Sequence, residues 1–159
     1  MNNTYITALI DSLSKKIEVL EAIHEKDEEQ LRIAKTSPFS YEEFDKNSEE
    51  KGVLIYRLNK LDEGFELVYE KVREELSSNK ESYKSEIKKM QELITRITDL
   101  STKIQAEEVR NKAAMEKAFK SEKDRLKAGR SGIKAVKSYT QTMRGGVAGP
   151  YSGLMDTKK

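Results

Sequence analysis

Few residues in this chain could do chemistry, and they are scattered. Its only histidine, His24, stands three positions before Asp27, and on a helix that spacing puts both on one face. An imidazole beside a carboxylate can move a proton, sense pH or begin a metal site. With one histidine and no cysteine in the whole chain, such a site is short of ligands. Two plainer readings stay open: the neighbouring helix leaves this level exposed, or the two side chains pair with each other. Polar residues at seam positions more often fix register than do chemistry. Ser12 with Lys15 and Ser85 with Lys88 spell S-x-x-K, but both pairs lie in charged helical stretches without the companion motifs of that nucleophile. GGVAG, at 145–149, lacks the lysine and following helix of a phosphate loop. One Arg144-Gly145-Gly146 is far short of a repeated RNA-binding segment. The doublets Glu28/Glu29, Glu49/Glu50 and Glu74/Glu75 are what solvated helix faces look like. No nucleophile, base and oxyanion donor converge, so the sequence predicts a protein that is not an enzyme, with no cofactor and no metal.

The composition says what kind of scaffold carries these residues. Charged residues make up 36% of the 159, well above the usual quarter, and only two are proline. Six of the eight glycines lie after Ala128. Long solvated helices have this composition. The net charge of +2 gives no overall field for nucleic acid. No run approaches the roughly 20 apolar residues of a membrane span, and the N-terminus lacks a signal-peptide layout. The absence of cysteine suits a reducing cytosol, so a cytoplasmic location is expected.

The apolar spacing predicts an all-α, elongated, antiparallel bundle of three long helices over 3–35, 41–77 and 79–128, followed by a basic Gly-rich tail over 129–159. The second helix is the most sharply marked. Ser40 fits its N-cap, Glu43 can close a capping box, and Phe39 and Phe44 can form a hydrophobic staple. Its stripe runs through Phe44, Leu54, Leu58, Leu61, Phe65, Val68, Val72 and Leu76, the three–four spacing of a coiled-coil seam. Asn47 and Lys51 interrupt it, which predicts that the first two helices splay near Pro38. Gly52 and Gly64 cost about 1 kcal/mol each and mark close approach, a bend, or nothing.

The first helix reads Ile6, Ile10, Leu13, Ile17 and Leu20, widened by Leu9 and Ile23, then His24, Asp27, Leu31 and Ala34. The third reads Tyr83, Ile87, Met90, Ile94, Ile97, Leu100 and Ile104. The linker SSNKES could continue as helix; a turn is favoured because the seam must fold back to be buried. After Ile104 the stripe thins, with Glu108 and Asn111 at seam positions and only Met115, Phe119 and Leu126 large. Relative lengths predict that this end overhangs the bundle by about 20 Å, frayed or free to dock another chain. The tail holds six basic residues against Asp156 alone, a net of +5, which leaves −3 for the rest. Within it Ile133, Val136, Thr140 and Met143 share one helical face, and Tyr139 and Tyr151 are natural anchors. The candidate partner-binding residues are therefore Met115, Phe119, Leu126, Ile133, Val136, Tyr139, Met143 and Tyr151.

The opening YITALIDSLSKKIEVLEAIHEKDEEQL resembles the first helix of flagellar export chaperones of the FlgN type. EEKGVLIYRLNKLDEGFELVYEKV and ITDLSTKIQAEEVRNK extend the resemblance over most of the helical part. It implies a cytosolic type III export chaperone that binds hook-associated, hook–filament junction proteins through its C-terminal part and delivers them to an export gate component. The family's gate-directed tyrosine matches Tyr139 best by position and Tyr151 second, while the Gly-rich ending departs from the family pattern. Any membrane contact would then be indirect, through the export apparatus. Alternatives are a filament-cap chaperone of the FliT type and a structural, self-assembling coiled coil. A homo-oligomer is compatible with each, and a basic tail on an anionic membrane is a further reading.

Overall fold

The computed structural model describes residues 2–126 and contains three helices: α1 (Asn2–Lys35), α2 (Tyr41–Ser78) and α3 (Lys84–Leu126). The start of α2 follows from its cap. Ser40 is extended (φ −102°, ψ 106°), and its hydroxyl accepts the Glu43 N–H at 3.1 Å. Phe39 and Phe44 close the staple with ring centroids 6.1 Å apart. The Glu43 carboxylate lies 3.8 Å from the Arg32 guanidinium and so faces the end of α1. At the other end the Asn79 N–H bonds to the Glu75 carbonyl at 3.0 Å, and the Tyr83 hydroxyl reaches the Glu75 carboxylate at 3.1 Å. Residues 79–83 form a turn, so α2 and α3 are separate helices. Ser78 is the last residue of α2, and α3 begins at Lys84, five residues after the start at 79 that the spacing predicts.

Contacts between helices fix the topology. Lys16 meets Asp62 and Lys26 meets Glu50, so α1 and α2 run antiparallel. Arg96 meets Glu21 and Arg110 meets Glu28, so α3 returns parallel to α1. α1 packs closely on both neighbours, whereas α2 and α3 approach each other less. The central helix must therefore be apolar on two sides. This is why Val19 and Ile33 are buried as well as the stripe read from sequence, which Leu9 and Ile23 widen.

The apolar interior falls into two clusters. The main one joins Ile6, Leu9, Leu13, Leu20 and Ile23 of α1 to Ile55, Leu58, Phe65, Val72 and Leu76 of α2, and to Met90, Ile94, Ile97 and Ile104 of α3. The second lies around the α1–α2 turn and joins Ile33, Phe39 and Phe44 to Met115 and Phe119.

This second cluster corrects one expectation. By its rise α3 is about 65 Å long against about 51 and 57 Å for α1 and α2, but its last turns do not project as an unpartnered overhang. They fold over the α1–α2 turn. Met115 is 1% exposed and Phe119 8% exposed, both against residues of this same chain. The expected splaying of α1 and α2 is also overturned, because Asn47 and Lys51 are buried between the helices.

Candidate functional site

Between the two clusters lies a layer of buried polar side chains drawn from all three helices. α1 contributes Asp27 and Gln30, α2 contributes Asn47 and Lys51, and α3 contributes Glu107, Glu108 and Asn111. These include the polar residues that interrupt each helix's stripe. The register of the bundle brings the three interruptions to one level, so no apolar surface faces a lone polar group there.

At its centre the Lys51 ammonium lies 2.7 Å from Asp27 Oδ1 and 2.8 and 2.9 Å from the two Glu108 oxygens. Both Asp27 and Lys51 are essentially excluded from water. The Asp27–Lys51 contact is close but off hydrogen-bond geometry, while the Lys51–Glu108 contact is a well-formed charge-assisted pair. Burial, then the neighbouring Glu108 carboxyl, push the Asp27 carboxyl up to about 9, against the pull of Lys51. At neutral pH Asp27 therefore holds its proton, and at this centre Lys51 faces one carboxylate, that of Glu108, rather than two.

Around this centre Asn111 donates to the Asp27 carbonyl at 2.7 Å and to Gln30 Oε1 at 3.1 Å. Asn47 donates to the Lys26 carbonyl at 3.0 Å and to Glu29 at 2.9 Å, and that bond holds the Glu29 carboxyl below its usual range. His24 Nδ1 faces Glu107 Oε2 across the α1–α3 seam. His24 and Asp27 thus pair with other helices, not with each other, and their level is not left exposed. Among the described residues no group of three or more His, Asp or Glu side chains is placed to hold a metal ion.

A second buried charge sits inside the main cluster and is invisible in the stripe pattern. Lys16 is fully buried, with Asp62 at 2.8 Å, and burial lowers its pKa against the opposing pull of that carboxylate. Beside it an open depression of about 380 Å³ lies between α1 and α2, with Lys15, Glu18 and Arg57 over an aliphatic floor of Val19, Ala22, Leu54 and Leu61.

Beyond the polar layer the end of α3 is held by aromatic contacts. The Phe119 ring meets Phe39 and Phe44 edge-on, at 5.2 and 5.3 Å between centroids, and stacks on Tyr41 at 5.7 Å. Desolvation raises the pKa of the Tyr41 hydroxyl, which is buried with no hydrogen-bond partner among the described residues. Glu122 on the final turns engages Arg125 at 3.0 Å.

Of the residues singled out from sequence as partner-binding, the structure brings Met115 and Phe119 together in this cluster. Leu126 is the last residue of α3; its side chain, with Ile133, Val136, Tyr139, Met143 and Tyr151, lies outside the described residues. Among the described helices none is long and apolar enough to cross a membrane. No protein-family model matches the chain, and neither a curated protein nor a solved structure does.

Proposed function

We propose that the chain is a protein-binding carrier, an export chaperone of the FlgN type that holds a hook-associated protein and hands it to an export gate. The observation that carries this reading is the unequal anchoring of α3. Its first half is set in the main cluster, whereas its end is held by a few aromatic contacts beyond a polar layer. That end leads directly into the basic segment with Ile133, Val136 and Met143. A client helix can take the place of the α3 end on Phe39 and Phe44, which frees Met115 and Phe119 to contact it as well, in the helix-in-groove mode. Opening the small cluster consumes part of the binding free energy, which keeps affinity moderate and release feasible. The order of features along the chain supports the flagellar assignment.

The experiment is a pull-down from a flagellated host lysate, with the full-length chain beside one ending at Ala128. Capture of hook-associated proteins by the full-length bait alone is the expected result. Capture of the filament-cap protein would move the assignment to the FliT type. Capture of nothing, with both baits eluting as one large stable assembly, would replace the carrier by a structural coiled coil.

A further inference from the structure

The outward face of α2 carries apolar residues that the bundle does not use. Val53, Tyr56 and Leu67 are 58%, 64% and 68% exposed. With Lys60 and Gly64 between them the steps are three, four, four and three, which keeps them on one face of the helix, opposite the buried Leu58 and Phe65. The glycines on this side have no internal explanation. Among the described residues a Cβ at Gly52 or Gly64 would meet nothing within 4 Å, so no close approach there offsets their cost of about 1 kcal/mol each.

This stripe is complementary to its own reverse. Turning α2 about Lys60 sets Val53 against Leu67, and Tyr56 against Gly64, where a large ring meets bare backbone. Further out the same operation sets Glu49 against Lys71, and Lys46 against Glu74. Each level pairs apolar with apolar, large with small, or acid with base. Lys60 itself lies on the axis, with Glu63 3.5 Å away to offset its charge. We infer that two copies of this chain associate through the backs of their α2 helices, antiparallel, about a two-fold axis at Lys60. Such an isologous contact is closed and does not propagate into a fibre. Pairing over 46–74 is about 42 Å long but only one helix wide, which points to a reversible dimer rather than an obligate one. The face is opposite the bundle interior and does not involve the end of α3, so the inference is independent of the client site.

The test uses the full-length chain, which contains no cysteine. Sedimentation over a concentration series should show a monomer–dimer equilibrium. Under mild oxidation Lys60→Cys should form a disulfide dimer, because the axis brings it beside its own copy. Val53→Cys should not, since its copy lies about 21 Å away, beyond disulfide reach. Glu49→Lys and Lys71→Glu should each weaken dimerisation about tenfold, by making both symmetry-related ion pairs repulsive, and the double variant should restore it to within about twofold. Lys71 also lies 5.9 Å from the Tyr5 ring, and that contact is lost in Lys71→Glu and in the double variant alike, so restoration isolates the intermolecular pair. Helicity by circular dichroism should stay unchanged throughout. A monomer at every concentration would overturn the inference and leave the face to residues 129–159 or to a different protein. Equal crosslinking of both cysteine variants, or a double variant as weak as the singles, would overturn the two-fold register.

Discussion

The main cluster and the end cluster are built by different means. The main one is aliphatic for most of its length and draws on all three helices. The end cluster is short and largely aromatic, and Met115 and Phe119 are all that α3 contributes to its buried part. Between them the layer of Asp27, Lys51 and Glu108 replaces apolar contact with ionic contact. A buried ion pair adds little net stability, because its Coulomb gain is offset by desolvation, but breaking one is costly. The layer therefore fixes which residues of the three helices meet, while the main cluster supplies most of the free energy of folding. A bundle arranged this way can loosen at one end without unfolding at the other.

The largest effect should come from the main cluster. Leu20→Ala removes a fully buried side chain from the main cluster and should cost about 3 kcal/mol. That is of order 10 °C in Tm for a domain this size, read by thermal melting at 222 nm. Phe119→Ala should cost a comparable amount at its own site, but the loss should be confined to the end of α3. The expected outcome is a smaller fall in Tm, with a clear loss of near-ultraviolet dichroism from Tyr41, on which Phe119 stacks. A Tm as low as that of Leu20→Ala would mean that the two clusters unfold as one.

The smallest effect should have the opposite sign. Asp27 keeps its proton in the folded state up to about pH 9 but releases it near pH 4 when unfolded. The contribution of that proton is thus fully present below about pH 4 and is lost as pH rises to about 9, with a slope of at most about 1.4 kcal/mol per pH unit. Asp27→Asn supplies a neutral group of the same shape that does not titrate. It should flatten the stability profile between pH 5 and 9 and make the variant more stable than the parent at pH 8. A variant less stable than the parent at pH 8, with the slope unchanged, would mean that Asp27 is ionised in the fold.

Much of this was legible in the sequence. Ser40, Phe39 and Phe44 announce the start of α2, and the seams of α1 and α3 locate most of the main cluster. The polar layer was legible only in pieces. His24, Asp27, Asn47, Lys51, Glu108 and Asn111 each stand out as interruptions, but their meeting depends on the register between helices, which periodicity within one helix does not contain. The five residues of the second turn help set that register, and the same offset carries Phe119 onto Phe39. Lys16 gave no signal, because a lysine flanking a stripe looks the same whether its ammonium reaches water or, as here, an aspartate on the next helix.

Native-state hydrogen exchange of the full-length chain tests the division most directly. Amides over 112–126 should exchange through a local opening that costs about 2 kcal/mol less than the opening that exposes 90–104, with the change falling at the polar layer. Uniform protection along α3, lost only on global unfolding, would contradict the account and leave the carrier without its separable end.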